Sequence, residues 1–284
     1  MSTHASIAQA SLRLLETPEA AGIERMSTSE LRRHFLLEDL FQPGELNLVY
    51  TNLDRLIVGG AAPASSISLS GFPELGTEYF TERRELGILN IGGECPVTAG
   101  GTRYTLGRLD CLYVGRGERE IVFEPPASGE AALYLASAPA HCRHRTAFLR
   151  REEAEVVELG EACHANRRRI IRYIGPGRIE SCQLVMGFTE VLEGSVWNTM
   201  PPHTHSRRSE IYLYFDMPDG LALHVMGAPE ATRHLIVRDR QAVLSPWWSL
   251  HMGAGTGPYK FLWAMAGENQ EFGDVDPVDF RALM

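Results

Sequence analysis

Histidine and carboxylate side chains stand close together in one short run, residues 202–210, which has the pattern H-x-H-x4-E. On an extended backbone, residues i and i+2 point the same way, so His203 and His205 present two imidazoles to one side at chelating distance. Imidazole and carboxylate ligands together suit zinc, iron, manganese or nickel. The run therefore predicts a transition-metal site.

Glu210 and His251 complete the predicted ligand set. Glu210 follows His205 by five residues, so strict alternation would point it to the opposite face. A bulge or tight turn through residues 206–209 must therefore intervene, and bulges are common beside active sites. His251 lies between two predicted strands in a segment bracketed by Pro and Gly. Three histidines and one glutamate leave room for a water or a substrate oxygen.

Short strands must position these ligands. From residue 46 onward the chain contains short β-rich runs broken by Gly, Pro, Asp and Asn, in two series at 46–136 and 183–265. Many short strands at close spacing are typical of a sandwich or barrel, so we expect an all-β protein.

Helices are predicted in two places. The first forty residues are expected to be helical, because Ser27 and Glu30 have capping-box spacing and Leu31 and Phe35 follow on one face. A charged stretch at 150–172, which connects the two strand series, is expected to be more helical than its surroundings.

The two strand series resemble each other, which indicates an internal duplication. Three pairs of segments align: 83–89 with 207–213, 110–114 with 240–244, and 133–136 with 261–264. The first series contains no H-x-H, and arginine cannot replace imidazole as a ligand. We therefore expect one metal ion per chain, in the second series.

Composition narrows the class of partner. The 284-residue chain carries a net charge of −9, which disfavours nucleic acid and anionic membrane surfaces and favours a small molecule. No stretch of 18 apolar residues occurs, and Arg13 and Glu16 interrupt any signal-peptide core, so a soluble cytoplasmic protein is expected.

Five scattered cysteines without a C-x-x-C pair encode neither a disulfide framework nor a zinc ribbon. Lys260 is the only lysine, which disfavours Schiff-base chemistry.

Further sequence blocks carry a family resemblance. Together with the metal motifs, they resemble the 5-keto-4-deoxyuronate isomerase family of the cupin superfamily from about Arg32 to Asp276; the blocks are 80–87, 90–93, 182–184, 197–201, 230–234 and 267–270. The resemblance implies two cupin barrels (double-stranded β-helices, or jelly rolls) in tandem and a homohexamer. It also implies one Zn²⁺ per chain on His203, His205, Glu210 and His251.

The expected domain order follows from this resemblance and the strand pattern. A helical segment is predicted at 1–45, a metal-free barrel at 46–148, a connector with short helices at 149–180, and the metal-binding barrel at 181–284.

The implied reaction is an aldose–ketose isomerisation in pectin breakdown. It converts 5-dehydro-4-deoxy-D-glucuronate to 3-deoxy-D-glycero-2,5-hexodiulosonate by moving a carbonyl group between C1 and C2. A metal bound to both oxygens stabilises the enediolate charge. Glu268, at a predicted barrel rim, is the candidate base, and the sequence leaves proton transfer and a hydride shift both open.

An acidic substrate calls for a guanidinium, because arginine binds carboxylates through two parallel hydrogen bonds. Arg207 and Arg208 lie between the predicted ligands and are candidate substrate-binding residues, and Trp197 is a candidate cavity wall. Other candidates from the same reasoning are Arg83, Arg84, Arg233, Trp247 and Trp248.

Two rival functions stay open at this point. Two histidines and one carboxylate also form the facial triad of oxygen-activating iron, so an iron cupin dioxygenase is one alternative. The other is a cupin that binds a sugar acid without catalysis. Metal content and oxygen uptake distinguish these functions.

Overall fold

The computed structural model describes residues Ala10–Met284. In chain order, its first elements are β1 (Ala10–Leu15), α1 (Ala20–Ile23), α2 (Thr28–Phe35), β2 (Leu36–Leu37), β3 (Leu46–Thr51), β4 (Ile57–Ala61), β5 (Ile67–Leu69), β6 (Arg84–Asn90), β7 (Cys95–Ala99), β8 (Thr102–Leu106), β9 (Cys111–Val114), β10 (Ile121–Phe123), β11 (Leu133–Pro139) and β12 (Ala147–Leu149). They are followed by β13 (Glu155–Leu159), β14 (Arg168–Ile174), β15 (Val185–Val191), β16 (Trp197–Thr204), β17 (Arg208–Phe215), β18 (Ala222–Ala228), β19 (Ala231–Val237), β20 (Gln241–Ser245), β21 (Leu250–Gly255), β22 (Lys260–Gly267) and β23 (Asp276–Pro277). The protein is all-β, as predicted.

The strands form two compact units. Among the described residues, the first comprises 10–14 together with Leu40–Tyr50 and Ile57–Glu152, and the second comprises Leu15–Asp39, Thr51–Leu56 and Glu153–Met284. Each unit contains one seven-stranded sheet and one smaller sheet. The orders are β1-β3-β4-β11-β6-β9-β12 with β5-β10-β7-β8 in the first unit, and β13-β14-β15-β22-β17-β20-β2 with β19-β18-β21-β16-β23 in the second.

The two large sheets have equivalent strand orders, in agreement with an internal duplication. In the first unit Arg84 pairs with Pro139, and in the second Arg208 pairs with Gly267. Two of the three predicted alignments agree with this pairing of equivalent strands. They are 83–89 with 207–213 and 133–136 with 261–264.

The third alignment is wrong by one residue. Leu86 pairs with Val114, and its counterpart Glu210 pairs with Ser245 and not with Leu244. Every residue of β9 and β20 is buried, so neither strand shows the alternation that fixes a register from sequence.

The same register shows which residue of the first unit takes the place of Glu210. Leu86, at the position equivalent to Glu210, is fully buried in an apolar cluster with Leu112, Val114 and Leu135. An aliphatic side chain in that place offers no donor atom, and it closes the interior by packing.

The N-terminal segment is only partly helical. Ser27 caps α2 with the predicted capping box, and Leu31 and Phe35 are buried. Ala10–Leu15, however, is a strand that pairs with β3 at a sheet edge. Pairing with an available edge overrides the weak local preference there.

The connector contains two strands and little helix. Its helices are single 3-10 turns at Arg151–Glu153 and Ala162–His164, and its longest elements are the strands β13 and β14. The charges that resemble a helical pattern are cross-strand partners: Glu158 pairs with Arg169, and Glu155 with Arg172. Opposite charges facing each other stabilise a sheet as well as a helix.

Among the helices of the described chain, none is long and apolar enough to cross a membrane.

Candidate metal centre

Three strands of the second unit bring the predicted ligands together. His203 on β16 lies directly opposite His251 on β21. After His205 the chain turns, with the Arg208 N–H donating a hydrogen bond to the His205 carbonyl (3.1 Å). The predicted turn through 206–209 is therefore present, and it brings Glu210 on β17 to the same side as the histidines.

Three imidazole donor atoms converge, and the Glu210 carboxylate adjoins two of them. The Nε2 atom of His203 lies 3.2 Å from that of His205 and 3.1 Å from that of His251. Oε2 of Glu210 lies 3.0 Å from the His205 Nε2 and 3.3 Å from the His251 Nε2. Ligands about 2.0–2.1 Å from a shared ion at angles of 90–110° are separated by about 2.9–3.4 Å. The three histidines therefore have the spacing of a metal cage, with the Glu210 carboxylate beside His205 and His251.

The outer side of each imidazole is held by the protein. The His205 Nδ1 lies 3.2 Å from the Asp274 carbonyl, and the His251 Nδ1 lies 3.0 Å from the Ser245 hydroxyl. The His203 ring bonds to the backbone of Pro201. Such outer partners fix the ring orientation and leave the Nε2 lone pair for a metal.

Burial keeps the imidazoles of His203 and His251 neutral. Burial, reinforced by the neighbouring His205, lowers the pKa of His203 to about 4. Burial and the other histidines lower the pKa of His251 well below its usual value. A neutral imidazole is the form that coordinates a metal, so these histidines need not lose a proton to bind one at neutral pH.

A cavity of about 190 Å³ opens beside the cage. It is smaller than the roughly 300–1,000 Å³ typical of sites for drug-sized ligands, which suits a small metabolite. His203, His205 and Glu210 reach it, and the other side chains that line it are Leu159, Arg168, Ile170, Thr189, Thr199, Arg208, Tyr212, Phe261, Trp263, Met265, Phe272 and Val275. Glu210 is the one carboxylate in the described lining.

Thr199 and Tyr212 form a polar link to Glu210 within this lining. Tyr212 bonds to both the Thr199 and the Glu210 side chains, and burial together with the Glu210 charge raises the pKa of its phenol well above the usual value. Thr199 has φ +47°, which is uncommon for a β-branched residue. It lies where the pairing of β16 with β21 is irregular, between Asn198 and His203.

Arg207 and Arg208 both bind the segment that follows β22. Arg208 is buried, and its guanidinium donates to the carbonyls of Glu271 (2.8 Å) and Asp274 (3.0 Å). Arg207 pairs with the carboxylates of Asp274 and Asp276. These contacts fix the Asp274 carbonyl that orients His205.

The predicted substrate residues differ in position. Arg208 lines the cavity, whereas Arg207 and the half-buried Trp197 are not part of the described lining. Glu268 is exposed and does not line the described cavity. It lies just beyond the end of β22, where its backbone N–H donates to the Arg207 carbonyl. This placement does not support a proton-transfer role.

The other candidates also lie away from the lining. Arg83 is exposed, Arg84 bonds to Ser137, Arg233 holds the backbone at Ile23, and Trp247 is 53% exposed. Trp248 packs on Phe35.

Sequence reasoning missed several lining residues, and the signal differs among them. Arg168 and Ile170 are two residues apart, and their alternation would reveal an inward face once β14 is recognised as a strand. Nothing local marks Thr199, because its position depends on the irregular pairing of β16.

Known proteins resemble this chain over most of its length. The KduI/IolB family model matches residues 44–281. A protein of Opitutus terrae named 4-deoxy-L-threo-5-hexosulose-uronate ketol-isomerase is 54% identical over 274 residues, which cover 96% of this chain and 100% of that protein. A protein of the same name from Escherichia coli O127:H6 is 45% identical, with 93% of this chain and 97% of that protein covered.

Solved structures support the fold alone. An IolB-like protein from Salmonella typhimurium LT2 has a TM-score of 0.62 at 16% identity, covering 87% of this chain and 89% of that one. A mutant of Bacillus subtilis oxalate decarboxylase has a TM-score of 0.55 at 12% identity, covering 78% and 71%. These likenesses agree with the predicted cupin architecture.

Proposed function

The chain belongs to the KduI/IolB family, and from this premise we propose that it is a ketol-isomerase acting on a hexosulose uronate. The reaction converts 5-dehydro-4-deoxy-D-glucuronate to 3-deoxy-D-glycero-2,5-hexodiulosonate. The observation that carries the proposal is the convergence of three histidine Nε2 atoms and the Glu210 carboxylate beside a small cavity. Relatives that bear the ketol-isomerase name at 45–54% identity support the same activity.

The proposed metal ligands are His203, His205, Glu210 and His251, with one Zn²⁺ per chain. Nitrogen and carboxylate ligands suit zinc, and a zinc ion bound there would stabilise negative charge on the C1 and C2 oxygens of the substrate. Leu86 in place of the glutamate supports a single site. The homohexamer and the role in pectin breakdown rest on the family resemblance, and the cytoplasmic location stays the prediction made from the sequence.

The remaining chemistry falls to the cavity walls. Phe261, Trp263 and Phe272 exclude water from the reacting carbons. Arg208 keeps the wall at 271–274 in place. The neutral Tyr212 phenol, next to Glu210, offers a hydrogen bond at the site where the oxygens of the substrate would lie.

A product assay tests this proposal. Purified protein is mixed with 4-deoxy-5-keto uronate released by a polyuronate lyase, and the C1 aldehyde is followed by NMR while an oxygen electrode records uptake. We expect the aldehyde signal to be replaced by a 2-keto product without oxygen uptake and without added nicotinamide. Oxygen uptake in step with substrate loss would instead establish the iron dioxygenase, and binding without turnover would establish the non-catalytic cupin.

A further inference from the structure

Within the described residues, one charged side chain of the cavity has no partner of opposite charge. Arg168 begins β14 and pairs with Leu159 on one side and Val191 on the other. Alternation along the strand sends Arg168 and Ile170 to the cavity and Arg169 to the opposite face, where it pairs with Glu158 at 2.8 Å.

The contacts of Arg168 leave most of its donors available. Its Nη1 donates to the carbonyl of Asn166 at 2.8 Å, and within the described part of the chain no carboxylate lies at ion-pair distance. Burial lowers the pKa of this guanidinium, which shows that it is partly desolvated without a compensating anion. A partly buried cation of this kind favours a negatively charged ligand.

Arg208 is the other guanidinium of the cavity, and its donors are committed to the carbonyls of Glu271 and Asp274. Two arginines and the single carboxylate of Glu210 thus line the described cavity. The lining is cationic even before a divalent ion is added, and the available donors are those of Arg168.

We propose that Arg168 binds the carboxylate of the uronate substrate through its guanidinium and orients C1 and C2 toward the metal cage. The inference rests on the proposed function, because it assumes a substrate with an acid at one end and a carbonyl at the other. A planar guanidinium binds a carboxylate through two parallel hydrogen bonds, which fixes the direction of the ligand as well as its position. Arg168 is therefore a specificity-determining residue.

Two substrates and two variants test this role. The substrates are the uronate and its uncharged analogue, in which the carboxylate is reduced to a hydroxymethyl group. The variants are Arg168→Gln and the matched control Arg169→Gln, which changes the neighbouring arginine on the outer face. We expect Arg168→Gln to lower kcat/KM for the uronate by about 10- to 100-fold, the range for charge-assisted hydrogen bonds. The uncharged analogue should lose less than about threefold, and Arg169→Gln should leave both substrates unchanged.

Each contrary result has a distinct meaning. Equal losses on both substrates, accompanied by a lower Tm, would show that Arg168 only supports the fold and would overturn the proposal. Unchanged preference for the uronate in Arg168→Gln would overturn it as well, while leaving the isomerase intact. Wild-type protein that converts neither substrate would contradict the proposed function itself. Arg168→Lys, which keeps the charge but loses the planar fork, should recover only part of the preference.

Discussion

Replacing Glu210 by glutamine removes one negative charge from the cage and keeps the size of the side chain. Glu210 is 4% exposed, and its Oε2 lies 3.0 Å from the His205 Nε2 and 3.3 Å from the His251 Nε2. An amide turned toward these nitrogens would donate hydrogen bonds to their lone pairs. The variant therefore loses one candidate ligand, and its amide also blocks the lone pairs of two of the remaining ligands, His205 and His251.

The expected loss of metal affinity follows from these two effects. Mutation of a residue that only orients a ligand typically costs 10- to 100-fold in affinity, so loss of the ligand itself should cost about 10-fold or more. Two neutral hydrogen bonds that must break before a metal binds add about 1 kcal/mol each. Together these effects predict about 300-fold weaker binding, or about 3.4 kcal/mol.

The assay is metal content after dialysis against a graded chelator, with Glu190→Gln as the control. Glu190 lies on β15 of the same sheet and pairs with Lys260 outside the cavity. The control should retain the metal affinity of the wild type, and Glu210→Gln should release its metal at far lower chelator concentration. Stoichiometric metal at wild-type affinity in Glu210→Gln, with normal turnover, would show that the cage consists of three histidines alone.

Two further predictions concern residues around the cage. Burial lowers the pKa of His224 to about 3, from an ordinary value of 6.5. Below pH 6.5 the unfolded chain therefore binds a proton at His224 that the folded chain does not bind, and the free energy of unfolding decreases as the pH falls. Between pH 7.5 and 5.5 the wild type should lose about 1 kcal/mol more unfolding free energy than His224→Gln; equal losses in denaturant titrations would refute this. Asp274→Asn breaks the ion pair with Arg207 (2.8 Å) and loosens the carbonyl that orients His205, so metal affinity should fall by up to about 10-fold. Its Tm should change by only a few degrees, and unchanged affinity in the chelator assay would contradict the positioning role.

The ligand cluster was predictable because it depends on local spacing. His203 and His205 are two residues apart on a strand, and the need to bring Glu210 to the same face requires a turn that the structure contains. Pairing of His203 with His251 across two strands then follows from the barrel architecture. For these residues local geometry and fold lead to the same arrangement.

The cavity walls were less predictable because they depend on long-range pairing. Arg168 belongs to a segment whose alternating charges resemble a helix, and only its pairing with β13 and β15 makes it a strand. Arg207 and Arg208 are adjacent in sequence, and sequence alone could not show that their guanidinium groups both bind the 271–276 segment. Such roles depend on where a distant segment packs.

Metal restoration is the strongest test of whether one metal ion in the second unit supports isomerisation. Protein stripped by a chelator is titrated with zinc while conversion of the 4-deoxy-5-keto uronate is measured. We predict no turnover in the stripped protein and a linear recovery that ends at one equivalent per chain. Full turnover without metal, or a recovery that ends at two equivalents per chain, would contradict the account.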